Sequence, residues 1–280
     1  MIHSSFQLAP GLGQRREQLL WQAGVAHWQD YEACAARLSR PADSALRAAI
    51  PLASAALQAR DVDRLAELLP AAEHWRLFAE FGADAAYLDI ETSDDTVGCG
   101  AISALGILDR TGPRILLAGR DLQRFPELAC GWSLLVTFNG SSFDLPILRR
   151  AFPDWQPPRG HIDLRHVLRR LGHGGGLKAI ERRLSRLHLT RPAHLDGLDG
   201  GDTGWLFARG RAGDRGALRR FAEYNLYDVI NLRTLMAYAY NACVEAHALR
   251  APALRAHTEQ VAVPGRGDLL YDVSKILLAL

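Results

Sequence analysis

The chain has 280 residues, 48% of them hydrophobic, and its 33 Lys and Arg nearly balance its 31 Asp and Glu, for a net charge of +2. This length fits one sizeable domain with a smaller one, and the overall charge does not by itself indicate a nucleic-acid partner. No apolar run approaches the roughly 18 residues that a membrane span needs, and residues 1–5 lack the layout of a signal peptide.

Cysteine usage indicates a reducing compartment. Cys34, Cys99, Cys130 and Cys243 are scattered and form no Cys-x-x-Cys pair, which argues against a zinc site or a disulfide frame. We therefore expect a cytoplasmic protein without membrane association.

Residues 1–80 are rich in Ala and Leu and predict a small all-α region. We expect helices near residues 14–23, 28–38, 43–58 and 61–80, punctuated by Pro41, Pro51 and Pro70. The turn at 10–13, which reads Pro-Gly-Leu-Gly, resembles half of a helix-hairpin-helix motif, whose amides can bind a phosphate. The alternative is a plain turn that caps a helix. Trp21, Trp28 and Trp75 are expected in the core of this region.

From residue 85 the pattern changes to strands. We expect an antiparallel meander formed by Tyr87–Glu91, Gly100–Leu108 and Arg114–Ala118. A helix at Asp121–Cys130 follows, and the apolar run Ser133–Phe138 predicts a buried parallel strand. Strands first, and alternating strands and helices afterwards, predict a three-layer α/β domain.

Two carboxylates stand at the end of the first strand. Because side chains alternate along a strand, Asp89 and Glu91 share one face and Ile90 points into the opposite layer. Two like charges at this separation repel, and burying them unpaired forces protonation. A bound divalent cation is the simplest way to keep both ionised. The alternative is an exposed pair at the strand end.

A third carboxylate follows the fourth strand. Residues 138–148 contain an Asn-Gly turn, and we expect Ser141 or Ser142 to cap the next helix. Asp144 falls in the first turn of that helix, where a carboxylate can be present only because it interacts favourably with the helix dipole. Because the ends of adjacent strands meet at one edge of the sheet, Asp144 is also expected near the first two acids.

The segments after it carry weaker signals. His161, Asp163 and His166 could form a metal cluster, but we expect Asp163 to cap the following helix instead. The glycines at 174–176 lack phosphate-loop spacing, so no nucleotide cofactor is expected.

Arginines crowd the second half of the chain. They are either solvated helix faces or a path for a polyanion that must reach the acidic residues. The set comprises Arg149, Arg150, Arg165, Arg169, Arg170, Arg182, Arg183, Arg186, Arg191, Arg209, Arg211, Arg215, Arg219 and Arg220.

A long helix is expected from about Arg215 to Ala246. Tyr224 and Asp228 lie four residues apart and therefore on one face of it. The neighbouring faces are apolar, so at least part of the helix is expected to be buried, although an exposed pair is the alternative.

Taken in order, an Asp-x-Glu, an Asp, and a final Asp preceded four residues earlier by Tyr resemble the DEDDy branch of the DEDD 3′–5′ exonuclease superfamily. Further segments are similar to its YprB-type ribonuclease H-like group: Trp75-Arg76, Leu88–Thr92, Phe138–Gly140, His161–Leu164, Gly176–Lys178 and Tyr224-Asn225. One departure is Ser93-Asp94-Asp95, which stands where that family usually has Thr-Gly.

The resemblance implies a ribonuclease H-like three-layer α/β/α fold with a mixed sheet at residues 81–248. A small all-α region at 1–80 would precede it, and a C-terminal tail at 249–280 would dock on the body. It also implies a metal-dependent 3′–5′ exonuclease that converts single-stranded nucleic acid, DNA slightly favoured over RNA, to nucleoside 5′-monophosphates. Alternatives are a structure-specific endonuclease or ribonuclease on the same site, and a nucleic-acid-binding module without catalysis.

The residue roles implied by the resemblance centre on two Mg²⁺ or Mn²⁺ ions, which hard carboxylate oxygens favour. Asp89 would bridge both ions, Glu91 and Asp228 would complete the first, and Asp144 would hold the second. Tyr224 would orient the attacking water. The implied substrate-binding residues are Thr92, Asn139, Phe143 and Lys178.

Overall fold

The computed structural model describes residues 1–33, 38–93, 102–187, 189, 191–198, 200–264, 271 and 273–280. Cys34, Cys99, Asp94, Asp95 and Gly100, which the sequence analysis singled out, lie outside these residues. Within the described ranges, no helix has the length and apolar character that crossing a membrane requires.

A five-stranded mixed sheet forms the centre of the chain. Its strands are β1 (Ala86–Thr92), β2 (Ile102–Asp109), β3 (Gly112–Leu117), β4 (Leu134–Thr137) and β5 (Gly160–Asp163). The strand order is β3-β2-β1-β4-β5. Pairs β1–β2 and β2–β3 are antiparallel, whereas β1–β4 and β4–β5 are parallel. The predicted meander and the predicted parallel strand are therefore confirmed.

Twelve α-helices are described around this sheet. They are α1 (Gln14–Gln22), α2 (Trp28–Ala33), α3 (Arg40–Gln58), α4 (Val62–Leu68), α5 (Phe78–Phe81), α6 (Phe125–Leu128), α7 (Asp144–Ala151), α8 (Leu164–Arg170), α9 (Leu177–Arg183), α10 (Gly200–Arg211), α11 (Arg215–Arg250) and α12 (Val273–Leu278). Short 3₁₀ helices lie at Ile2–Ser4, Ala71–Leu77, Gly82–Asp84, Leu122–Arg124, Ser185–Leu187, Ala193–Leu195 and Pro252–Ala256.

Alternation along the strands divides the core into two sides. Leu88 and Ile90 of β1 pack with apolar residues of α6 and α7 on one face of the sheet. Tyr87 lies on the other face, in a cluster that includes residues of α8 and α11. The predicted three-layer α/β/α architecture with a mixed sheet, preceded by a helical N-terminal region, is thus the observed one.

The helical stretch predicted at 61–80 is interrupted at Pro70, as expected, but is only partly α-helical. Helix α4 ends at Leu68, a 3₁₀ helix follows Pro70, and α5 is a single turn. Proline has no amide hydrogen and disfavours helical geometry in the residue before it, so the helix ends at this point. By contrast, α3 continues through Pro51.

Tryptophan packing supports this region. Trp21, Trp28 and Trp75 are all buried, so their assignment to the core is confirmed. The indole nitrogens of Trp21 and Trp28 donate to the main-chain oxygens of Ser4 and Ser5, at 2.9 and 2.7 Å.

A buried ion cluster joins the N-terminal region to the body. Arg76 is fully buried and donates to both carboxylate oxygens of Glu17, at 2.8 and 2.7 Å, and to Glu73 at 2.7 Å. Glu73 also accepts from Arg170 of α8 at 3.0 Å. Removing one partner from a buried ion pair is strongly destabilising, so these guanidinium groups are needed where two carboxylates are buried together.

The C-terminal residues contact the body of the protein. Arg120 donates to the main-chain oxygen of Ala279 at 2.9 Å, and Arg233 of α11 donates to the hydroxyl of Tyr271 at 2.6 Å. Asn241 exchanges two hydrogen bonds with the main chain of Val261, at 2.8 and 2.9 Å.

Replacing Arg76 with Met should lower the free energy of unfolding by about 3–5 kcal/mol, because it leaves the buried Glu17 without its guanidinium partner and Glu73 with Arg170 alone. Arg64→Met is a suitable control, since Arg64 forms an exposed ion pair with Glu67 and should cost less than about 1 kcal/mol. Urea unfolding measures both values. Equal losses in the two variants would contradict a structural role for the buried cluster.

Candidate active site

Strand β1 presents two acids on the face of the sheet that α11 covers. Ile90 packs in the opposite layer, so Asp89 and Glu91 on either side of it point the other way, as predicted. Asp89 is partly buried and Glu91 is buried. The strand end therefore carries two carboxylates that water solvates poorly.

Helix α11 contributes the third acid. It begins after Asp214, whose side chain accepts a hydrogen bond from the amide of Ala217. Tyr224 and Asp228 lie one turn apart and are both buried, so the alternative of an exposed pair is wrong. Carboxylate oxygens of Asp89, Glu91 and Asp228 all lie within 4.8 Å of one another.

Asp144 is the fourth acid and approaches the strand from the other side. It is the first residue of α7 and is buried, and its carboxylate accepts a hydrogen bond from the amide of Ile90 at 3.0 Å. The predicted cap of α7 by Ser141 or Ser142 is wrong, because Phe143 occupies that position without a side-chain bond.

Ser141 is instead held by Asp163. The Asp163 carboxylate accepts hydrogen bonds from the amides of Asn139, Ser141 and Arg165, at 2.8, 3.1 and 3.1 Å. It caps α8, as predicted, and fixes the turn that precedes Asp144. Its oxygens are thus engaged by main-chain amides, which favours the expected capping role over the alternative of a metal ligand.

Two neutral side chains hold the acids of β1. The hydroxyl of Thr203 in α10 donates to Glu91 at 2.9 Å. The side-chain amide of Asn225 in α11 donates to the Asp89 carboxylate, also at 2.9 Å. Both acids are thereby held by elements that follow them in the chain by more than a hundred residues.

Two cations face the same cluster. Lys178 of α9 and Arg191 each form an ion pair with Oδ1 of Asp228. Arg191 also pairs with Glu181 at 3.2 Å. Both cations lie over the ring of Tyr224, with Nζ of Lys178 4.4 Å from its centroid and the guanidinium carbon of Arg191 5.4 Å away.

Burial shifts the protonation of these groups. It raises the pKa of Asp89 to about 6, and burial with repulsion from Asp89 raises the pKa of Glu91 to about 8. The same two causes raise the pKa of Asp144 well above its usual value. Burial and the neighbouring Arg191 lower the pKa of Lys178 to about 7.

The charges of the site do not balance when all groups are ionised. Asp89, Glu91, Asp144, Asp228 and Glu181 contribute five negative charges, against two positive charges from the resident cations. The candidate metal ligands of the cluster are all carboxylate oxygens, which suit Mg²⁺ or Mn²⁺. The excess charge, the raised pKa values and the hard oxygen ligands fit a divalent cation.

The expected substrate-binding residues have different settings, and Lys178 contacts the acidic cluster directly. Phe143 is exposed immediately before Asp144, and Thr92 is partly buried at the end of β1. Lys178 pairs with Asp228. Asn139 adopts a left-handed backbone conformation, with φ of 67°, and its side-chain oxygen accepts from Arg165 at 2.5 Å.

Three contacts of the site were missed by the sequence analysis. Arg191 was not distinguished from the other arginines, because no local pattern separates it from a solvated one. Thr203 lies in a Gly-rich segment with no signal at all. Asn225 carries a usable signal: an Asn among apolar residues in mid-helix is a poor helix former that needs a buried partner.

Comparison with known proteins identifies a family and a solved structure to which this chain is similar. A sequence model of the RNase H superfamily matches residues 86–240, which is more than half of the chain. A search of curated proteins finds no match. Among solved structures, the family B DNA polymerase from the hyperthermophilic archaeon Pyrobaculum calidifontis is similar at 14% identity with a TM-score of 0.42. The similarity covers 60% of this chain and 27% of the polymerase chain.

The stability of the metal-free protein should fall as the pH rises from 5 to 7. The Glu91 pKa is raised from 4.5 to about 8, so within this window the folded state binds more protons than the unfolded state. Glu91→Gln removes this group and should give a shallower pH dependence of the urea midpoint in EDTA. Identical slopes for the two proteins would show that Glu91 is already ionised at pH 5.

Proposed function

This chain belongs to the ribonuclease H superfamily, and from that membership together with its acidic cluster we propose that it is a metal-dependent 3′–5′ exonuclease. The substrate would be single-stranded nucleic acid, DNA slightly favoured over RNA, and the products nucleoside 5′-monophosphates. One observation carries the proposal: carboxylate oxygens from β1 and α11 lie within 4.8 Å of one another, beside a fourth buried acid. A structural role alone would not require four repelling acids at one buried edge.

The four acids would hold two divalent cations. Glu91 and Asp228 would bind one, Asp144 would bind the other, and Asp89 would contact both. Two such ions stabilise the attacking and leaving oxygens in phosphodiester hydrolysis. The sequence order of these acids and the Tyr four residues before Asp228 support the DEDDy assignment within the superfamily.

Tyr224 would orient the attacking water through its hydroxyl. Burial and the nearby Glu91 raise the pKa of this hydroxyl, so it stays protonated at neutral pH. A protonated phenol can donate one hydrogen bond and accept others, which is what positioning a water requires. The same shift argues against Tyr224 as a general base.

Lys178 and Arg191 would contact the phosphate of the substrate. Both are largely buried beside Asp228, and Nη1 of Arg191 is a buried donor without a hydrogen-bond partner among the described residues. Cationic donors near a carboxylate cluster offset the repulsion between that cluster and a phosphodiester. Phe143, exposed next to Asp144, would stack on a base.

Two other classes of function use the same residues differently. A structure-specific endonuclease or a ribonuclease would keep the metal centre and change the product. A nucleic-acid-binding module would make no use of the acids, because carboxylates repel phosphates. The buried cluster therefore favours an enzyme over a binding module.

Shortening of 5′-labelled single-stranded DNA and RNA of one sequence should require Mg²⁺ or Mn²⁺ and stop in EDTA. Asp228→Asn should lower kcat/KM by about 10³-fold, because metal-ion stabilisation is worth several kcal/mol and each 1.36 kcal/mol is tenfold in rate. Asp154→Asn, at an exposed acid outside the four-acid set, is the control and should leave the rate unchanged.

The product pattern decides between the alternatives. A ladder that shortens from the 3′ end supports the exonuclease. The substrate that is degraded more rapidly, DNA or RNA, gives the sugar preference. Internal cuts alone would contradict the 3′–5′ polarity but not the metal centre. No cleavage with either metal would contradict the proposal that the protein is an enzyme.

Asp89→Ala separates an enzyme from a binding module. It should abolish hydrolysis, whereas single-stranded DNA measured by fluorescence anisotropy in EDTA should bind as well as before or better, because one repelling charge is gone. Unchanged hydrolysis in this variant would exclude Asp89 from the reaction.

A further inference from the structure

Asn225 is a fully buried amide in the turn of α11 that also carries Tyr224 and Asp228. Its Nδ2 donates to Oδ2 of Asp89 at 2.9 Å and lies 3.4 Å from the main-chain oxygen of the same residue. A main-chain oxygen only accepts hydrogen bonds, so the nitrogen end of the amide must face Asp89. The amide thus contacts both the side chain and the backbone of one acid.

Gly106 of β2 makes room for this amide. It lies directly opposite Asp89 in the antiparallel pair β1–β2. A Cβ atom at Gly106 would lie 2.3 Å from Oδ1 and 3.1 Å from Cγ of Asn225. Glycine inside a strand often marks the close approach of another group, and here that group is the amide. Any side chain at this position would displace it.

This arrangement lowers the stability of the fold. Oδ1 of Asn225 is buried and has no hydrogen-bond partner among the residues that the structure describes. A buried acceptor without a partner lowers stability, asparagine is a poor residue for a helix interior, and glycine is a poor one for a strand. Three local costs at one contact indicate that the contact serves the site.

We propose that Asn225 and Gly106 form a positioning pair that fixes the Asp89 carboxylate in its metal-binding orientation. This inference rests on the proposed function, since it assigns to Asp89 a divalent cation. Asn225 engages Oδ2 and not Oδ1, so it restrains the rotation of the carboxylate without using both oxygens. Neither residue contacts the cation in this account. They act through Asp89.

Binding of Mn²⁺ to the full chain, without nucleic acid, tests the pair. Asn225→Ala should weaken Mn²⁺ binding by about 10–100-fold, the range typical for groups that orient metal ligands. Gly106→Ala should weaken it to a similar extent, because the added methyl group displaces the amide. The double variant should bind no more weakly than either single variant, since both remove the same restraint.

Two controls separate positioning from a loss of structure. Thr234→Ala removes another fully buried polar group of α11, one that no described residue hydrogen-bonds, and should leave Mn²⁺ binding unchanged. In Asn225→Ala, nuclease activity should recover as Mn²⁺ is raised to saturation, which a distorted site would not allow. Urea unfolding of each variant confirms that the chain is folded.

Three results would be decisive. Wild-type affinity for Mn²⁺ in Asn225→Ala overturns the positioning pair and leaves the proposed function intact. Losses that multiply in the double variant show that the two residues act independently, which also overturns the pair. Failure of the wild-type protein to bind Mn²⁺ overturns the proposed function itself.

Discussion

Repulsion among buried carboxylates at the end of β1 is the constraint on which the site depends. Asp89 and Glu91 share a face of one strand, and α11 brings Asp228 to within 4.8 Å of both. Helix α7 places Asp144 against the amide of Ile90, where it is repelled by Asp89. Burial raises the pKa of Asp89, Glu91 and Asp144, so the metal-free site holds protons that a divalent cation would displace. Clusters of this kind are unfavourable for folding and are therefore typical of functional sites.

Helix α11 connects this site to the N-terminal region. Its first half carries Tyr224 and Asp228, whereas its second half packs against the tryptophans of the helical region: the ring centroid of Tyr240 lies 5.9 Å from that of Trp75, and His247 lies 5.2 Å from Trp21. Because one continuous helix spans both, the N-terminal core supports the element that positions Asp228.

The sheet and the positions of the acids were predictable, because strand alternation and helix periodicity are local properties of the sequence. The contacts that hold the acids were not. Thr203 meets Glu91, and Asn225 meets Asp89, only after the chain has folded back over more than a hundred residues. The wrong cap at Ser141 has a similar cause, since Asp163 from the neighbouring strand competes for that segment. Local capping rules consider only residues that are neighbours in sequence, so they do not account for a contact from another strand.

Counting the metal ions bound by the wild-type chain is the most direct test of this account. Titration with Mn²⁺ at pH 7.5, with free Mn²⁺ followed by electron paramagnetic resonance, should show two ions per chain. Asp228→Asn should lose at least one of them, because it removes a ligand from the cluster. A wild-type protein that binds no Mn²⁺ at millimolar concentration would contradict the assignment of these acids to a metal centre.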